Sequence, residues 1–211
     1  MDGHETQFDW VCGQQETPNR SSDVRLRDPN TGSPTSIQAV SEPHHIEKAL
    51  ECAADIHKRG VWSGVSSEDR ANVLEQVARL LEGQVERLGR LGAATTGVVI
   101  SQTEGFAALT PKIFRMAALL ARADAVTLLP GPHGPVEVRG LPLGPALCIA
   151  PWNAPTVIAA HKVASALAAG CPTILKPSEW APQTAQVLAE AIHRSDLPPG
   201  TFQLLHGTGR V

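Results

Sequence analysis

From Ala146 to His206, short apolar runs alternate with stretches of helical spacing, and that alternation narrows the folds open to this chain. The runs are ALCIA, PTILK and TFQLLH, and the segments between them predict helices from about Thr156 to Ala169 and from Pro182 to His193. A β-α-β-α-β order implies parallel strands, because each helix carries the chain back to the starting end of the sheet. In such sheets ligands bind beyond the carboxyl ends of the strands. The residues following ALCI, TILK and FQLLH are where chemistry is expected.

The rest of the chain is organised differently. Residues 1–40 are rich in Asp, Asn, Ser, Thr, Gly and Pro, as in RDPNTGSPTS, which favours turns over periodic packing. Pro43–Arg59 places Ile46, Leu50, Ala53 and His57 at helical spacing, and Gly60 closes it. A second helix opens at Ser66 or Ser67, with Glu68 and Asp69 suited to the positive helix end. Its stripe is Val73, Val77, Leu80, Leu81, Leu88 and Leu91, broken at Gly97. A third helix covers Glu104–Ala123, where Pro111 predicts a kink or a later start. Residues 130–143 hold prolines and glycines around VEVRGL, which alternates like a half-exposed strand. The expected organisation is a polar segment (1–40), a helical part (41–129), a strand-like arm (130–143) and a β-α-β-α-β part (144–211).

At 211 residues with 42% hydrophobic and 18% charged residues, the chain is globular, not disordered. A net charge of −3 with interspersed signs gives no basic face for nucleic acid or an anionic membrane. No apolar run reaches the ~18 residues of a membrane span. The N-terminal MDGHETQFDW has neither a basic nor an apolar leader region. Cys12, Cys52, Cys148 and Cys171 lie far apart without metal-ligand spacing and read as reduced thiols, so the expected setting is cytoplasmic.

Several residues could carry chemistry. Asn153 follows the ALCIA strand, where its amide could donate to a developing oxyanion or cap the next helix. Lys176 and Glu179 follow PTIL; together they could donate to and accept from ribose hydroxyls, or stand on a solvated turn. Lys162 sits among Ala, Val and Leu, so it snorkels to solvent or faces a polar cleft. His161 points elsewhere round the helix and reads as a packing or surface residue. Gly207 and Gly209 give a Gly-x-Gly without the third glycine of a dinucleotide fingerprint. The adjacent His44 and His45 lack partners at ligand spacing, so no metal site is expected.

In combination these motifs say more. PWN, Lys162 nine residues on, ALAAGC, LKPSE with PQTA, and DLPPGTFQLLHGTG resemble the aldehyde dehydrogenase superfamily in order and spacing, most strongly from Gly140 to Gly209. The resemblance implies an α/β fold: N-terminal helices, part of a Rossmann-like NAD-binding parallel sheet, and a β-hairpin-like oligomerisation arm at VEVRGL. It implies that Asn153 helps form the oxyanion hole and that Lys162 serves the cofactor pocket and proton traffic. It lays Ile149, Ala150, Pro151 and Trp152 along the cofactor, puts Lys176, Ser178 and Glu179 on the adenosine ribose, and sets Gly207 and Gly209 beside the adenine. A Glu that accepts from both ribose hydroxyls disfavours a 2′-phosphate, so the implied cofactor is NAD in preference to NADP.

The family's Phe-Thr-Gly-Ser turn, its Glu-Leu-Gly-Gly general base and its nucleophilic Cys have no counterpart in these 211 residues. The expectation is therefore a truncated part of an NAD(P)-dependent aldehyde dehydrogenase, inactive as this chain alone, with an uncovered sheet edge. The complete enzyme would oxidise a small-molecule aldehyde to an acid and form a homo-oligomer, without nucleic-acid or membrane partners. The alternative is a non-catalytic nucleotide-binding or subunit-interaction module derived from such an enzyme.

Overall fold

A computed structural model of the protein describes residues 7–123 and 126–209. The first six residues of the polar segment and the last two of the chain lie outside the described residues. Three parallel strands form the heart of the fold: β7 (Ala146–Ile149), β8 (Thr173–Lys176) and β9 (Phe202–Leu204). They are connected by α5 (Pro155–Ala168) and α6 (Gln183–His193). Elements, order and direction agree with the alternation in the sequence.

The sheet is larger than the sequence suggested. Residues of the polar segment form β1 (Asp9–Val11) and β2 (Gln14–Glu16), and β1 lies antiparallel against β9 through Trp10 and Leu204. The sheet order is β2-β1-β9-β8-β7. A separate hairpin joins β3 (Arg20–Arg27) to β4 (Pro34–Val40). The turn composition is confined to its tip: Asp28 Oδ1 accepts from the Asn30 N–H at 2.7 Å, and Gly32 takes φ +71°. The expectation of turns over residues 1–40 therefore captured this tip and missed the strands on either side.

Two residues, Cys12 and Gly13, connect β1 to β2, with φ of +52° and +80°. Positive φ at both positions is the pattern of a type I′ hairpin turn. A Cβ on Gly13 would lie 2.7 Å from Pro199 Cβ, so the turn excludes a side chain twice over. Gly13→Ala is expected to cost about 1–2 kcal/mol from the left-handed backbone alone, and more from the collision. A shift of the urea midpoint would read it, and an unchanged midpoint would contradict this packing.

Alternation along β8 divides the core. Ile174 faces one side, with Val11, Leu205 and the Ala49 and Ala53 of α1 (Pro43–Lys58). Leu175 faces the other, where α5 and α6 pack with α2 (Ser67–Glu82), α3 (Val85–Thr96) and α4 (Ile100–Arg122). α1 buries His45, Ala49, Ala53 and Ile56, while Leu50 is exposed; the buried stripe is rotated from the one read in the sequence. The predicted second helix is two, parted at Gly83 and Gln84, and the Ser66 hydroxyl caps the first by accepting from the Asp69 N–H at 3.1 Å. α4 begins four residues before the expected Glu104 and runs on through Pro111.

Beyond α4, β5 (Thr127–Leu129) pairs with β6 (Val136–Val138) as an exposed hairpin, so the arm begins before residue 130. At the other end of the sheet, β7 has no further strand beside it among the described residues. Its Leu147 and Ile149 are exposed on the face that α1 covers at β8, whereas Cys148 is buried on the opposite face. No helix among the described residues is long and apolar enough to cross a membrane.

Candidate nucleotide-binding site

The parallel register brings three loops to one edge of the sheet. Ile149 lies beside Lys176, and the Ala150 N–H donates to the Lys176 carbonyl at 3.0 Å. Leu204 lies beside Leu175, and the Leu205 N–H donates to the Leu175 carbonyl at 3.0 Å. The chain therefore leaves all three strands at the same level, and Pro151–Asn153, Pro177–Glu179 and His206–Gly209 emerge together.

Lys176 is half-buried, and its Nζ donates to the Pro177 carbonyl at 3.0 Å. Burial holds its pKa below the usual lysine range, and the Glu179 carboxylate pulls it back up. Glu179 accepts only a long contact, 3.4 Å from Ser178 Oγ, among the described residues. Ser178 is buried; its Oγ also accepts from the Trp180 N–H at 3.3 Å, which turns the chain back toward α6. An ammonium with spare N–H groups thus stands near a carboxylate with spare acceptor capacity, both half-desolvated. Such a pair suits the hydroxyls of a sugar, which donate and accept at once.

On the first loop, Pro151 is half-buried, Trp152 is exposed and Ala150 is buried. Ala154 is the N-cap of α5 and Pro155 opens it, so Asn153 is not the cap. Its amide makes no hydrogen bond among the described residues and lines a narrow crevice with Thr103, Phe106 and Thr156. An Asn outside the cap position has donors to spare.

The third loop is fixed by contacts invisible in local sequence. The His206 N–H donates to Ser41 Oγ at 2.7 Å, and the Ser41 N–H donates to the His206 carbonyl at 2.9 Å. Gln186 Nε2 donates to the Phe8 carbonyl at 2.7 Å and lies 2.7 Å from His206 Nε2, which is itself 3.2 Å from the same carbonyl, so the three groups close a buried triangle. His206 Nδ1 is buried without a partner among the described residues, and burial pushes the His206 pKa down to about 4, against the contact with the Phe8 carbonyl and with the Lys176 charge adding to it. Gly207 is buried and Gly209 exposed, with open space where a Gly209 Cβ would stand. Ser41 and Gln186 were not singled out by the sequence, because they meet His206 only through the fold.

Lys162 stands apart from this edge. It lies seven residues into α5, about 10 Å along the axis from the helix start. It is exposed, so it snorkels to solvent, and His161 beside it is a surface residue. Its charge reaches Cys148, lowering a thiol that burial pushes up to about 11. Cys148 and Cys171 are buried structural thiols. His45, away from the site, pairs through Nδ1 with Asp9 at 2.7 Å and through Nε2 with Glu16 at 3.2 Å. No group of three metal-ligating side chains occurs among the described residues.

Comparison with known proteins agrees with this architecture. The profile of the aldehyde dehydrogenase family matches residues 16–211. The chain is 30% identical to the 4-(hydroxymethyl)benzenesulfonate dehydrogenase TsaD1 of Comamonas testosteroni over 201 residues, 93% of this chain and 41% of that protein. It is also 30% identical to a 3-succinoylsemialdehyde-pyridine dehydrogenase of a Pseudomonas species, over 95% of this chain and 41% of the relative. Among solved structures, a betaine aldehyde dehydrogenase of Staphylococcus aureus in complex with NAD+ superposes with a TM-score of 0.90 at 26% identity, over 98% of this chain and 41% of that one. HpcC from Thermus thermophilus superposes with a TM-score of 0.89 at 27% identity, over 98% of this chain and 40% of that one. The chain thus spans about two fifths of the length of these proteins. With its parallel strands, converging loops and matched profile, the chain belongs to the aldehyde dehydrogenase family.

Proposed function

We propose that this chain is the N-terminal, cofactor-seating part of an NAD(P)-dependent aldehyde dehydrogenase, and that it holds the adenosine of NAD at the carboxyl ends of β7, β8 and β9. The observation that carries this is the half-buried Lys176 and Glu179 pair on the loop after β8, with polar capacity unspent. Lys176 donates to a ribose hydroxyl and Glu179 accepts from the vicinal pair. Ser178 sets the turn that aims them, and the backbone from Ile149 to Trp152 runs beside the bound molecule. Gly207 and Gly209 leave room for the adenine. When bound, NAD supplies the hydride acceptor.

Asn153 serves the acyl chemistry. Its free amide presents N–H donors toward the negative oxygen that develops when an aldehyde carbonyl is attacked. Lys162, set back along α5, takes part in proton traffic with solvent. The attacking thiol and general base are expected outside these residues: Cys148 and Cys171 are buried, Cys148 is held protonated, and Cys12 and Cys52 lie beside the start of β9, at the opposite end of the strands from the site loops. Taken alone, the chain is expected to bind cofactor without turning over an aldehyde.

Calorimetric titration with NAD and NADP tests the reading. NAD is expected to bind more tightly, because Glu179 repels a 2′-phosphate. Lys176→Ala and Glu179→Gln should each weaken NAD about ten- to a hundredfold, the value of a charge-assisted hydrogen bond or two. Glu179→Gln should also narrow the gap between the two nucleotides. Equal affinity of wild type and both variants for NAD would remove the proposed seat.

The exposed hairpin supports a further part of the reading, a homo-oligomer. Val136 and Val138 are about half exposed, Leu129 stands opposite Val136, the neighbouring Leu128 is exposed as well, and isolated soluble surfaces seldom carry so apolar a ribbon. Light scattering on Val136→Lys/Val138→Lys is expected to show a smaller species than wild type. An unchanged size would assign oligomerisation to another surface.

A further inference from the structure

The turn between β1 and β2 lays Cys12 on α1 one helical turn before Cys52, although the two are 40 positions apart in sequence: the Cys12 thiol lies against the carbonyl of Lys48, four residues before Cys52, and is near enough to Cys52 to feel its charge. Neither is in the deep core: both are partly exposed, in contrast to the buried Cys148 and Cys171. The contact is built from several directions. The Cys12 N–H donates to Gln203 Oε1 at 2.8 Å, and the Cys12 thiol approaches the Lys48 carbonyl at 3.6 Å. Gln203 is fully buried, and its Nε2 donates to the Ala49 carbonyl at 3.1 Å and the Gly200 carbonyl at 3.2 Å. One side chain therefore brackets the Cys12 turn, α1 and the loop before β9. On the far side, a Cβ on Gly200 would come within 2.8 Å of Cys52 Sγ, so the sulfur rests over a bare glycine and has no room to turn that way.

We propose that Cys12 and Cys52 form a reversible disulfide site, closed by exchange with a small disulfide of the oxidised-glutathione class. A thiol pair held together by the fold needs no rearrangement to meet, whereas disulfides between distant cysteines demand backbone movement. Burial first, and then the neighbouring Cys52, push the Cys12 thiol up to about 12, with Lys48 opposing. Cys52, as thiolate, attacks one sulfur of the small disulfide. A mixed disulfide forms at Cys52, and one small thiolate leaves. Cys12 then gives its proton to solvent and attacks the Cys52 sulfur. The Cys12–Cys52 bond forms, the mixed disulfide breaks, and the second small thiolate leaves. Two thiols of the chain are oxidised, and one small disulfide is reduced to two thiols. The bond ties the N-terminal hairpin to α1, and the attacking species being a thiolate, closure should accelerate with rising pH.

The test is to reduce the folded chain, remove the reductant, add oxidised glutathione at pH 8, quench with acid and map the peptides without reduction. The expected result is one cross-linked peptide pair joining Cys12 to Cys52, opened again by dithiothreitol, with Cys148 and Cys171 alkylated only after denaturation. Cys12→Ser is expected to stop at the first step and accumulate glutathione on Cys52. Stable glutathione adducts on both cysteines of the wild type would overturn the proposal, as would two thiols that stay free. Pairing scrambled among all four cysteines would overturn it too, since it would show bonds made in the unfolded chain.

Discussion

Replacing Trp62 with alanine is expected to lower the unfolding free energy by about 3–5 kcal/mol, the range for removing a buried large aromatic side chain. Trp62 lies in the link between α1 and α2, is 1% exposed, and sits in the main core with residues of α2, α5 and α6. Its Nε1–H donates to the Leu167 carbonyl at 2.9 Å, at the C-terminal end of α5. Arg70 works on the same helix end, its Nε donating to the Ala168 carbonyl at 3.1 Å. These bonds serve carbonyls that a helix end leaves without intrahelical partners. Leu167 O also accepts from the Gly170 N–H at 3.0 Å, so losing the indole does not orphan it, and the cost falls mainly on packing. Trp62→Phe keeps most of the packing and loses the hydrogen bond, and is expected to cost about 1–2 kcal/mol. Urea denaturation followed by circular dichroism gives both values. A Trp62→Ala chain within about 1 kcal/mol of wild type, on the scale set by that range, would show that α5 is not anchored here.

Lowering the pH from 7 to 4 is expected to remove on the order of 3 kcal/mol of stability through His206 alone, at about 1.36 kcal/mol per pKa unit. Burial pushes this imidazole down to about 4, whereas an unfolded histidine titrates near 6.5. Above 6.5 both states are neutral and the contribution is fully present. Between 6.5 and 4 the unfolded chain takes up a proton that the folded chain refuses, so stability falls as pH falls. His193, stacked on Trp10 and lowered by burial, acts in the same direction. Asp9 acts oppositely: burial raises its carboxyl, so its contribution is present below 3.8 and fades as pH rises through its folded value. His206→Gln should flatten the slope between pH 6.5 and 4 in a series of denaturant midpoints. A slope equal to that of wild type would mean that His206 is not kept neutral by the fold. The same ring steadies the loop after β9, so acid should loosen the proposed site before the core gives way.

The parts legible in the sequence were those in which one signal acts locally. ALCI, TILK and FQL are apolar because they are covered on at least one face, and the helices between them keep a 3.6-residue spacing against the same core. Strand ends followed from the apolar runs, so the positions of Ile149 and Lys176 at the ends of β7 and β8, and of Glu179 just beyond, could be read in the sequence. β1 and β2 could not be read, because DWV and QQE are three residues each and draw their stability from β9, nearly 200 residues away. The α2–α3 break was hidden because Leu81 and Leu88 continue a single buried stripe across Gly83. The choice for Asn153 between cap and free amide was open in sequence, and Pro155 at the first turn, with Ala154 as cap, decided it. Contacts such as His206 with Ser41, or Cys12 with Cys52, leave no local trace at all.

A cofactor seat at the carboxyl ends of the parallel strands is open to a direct test by amide hydrogen exchange of the chain with and without saturating NAD. Added protection is predicted in three separate segments, Ile149–Asn153, Lys176–Glu179 and His206–Gly209, with β5 and β6 unchanged. Protection absent from all three, or confined to the far edge near β2, would contradict that seat.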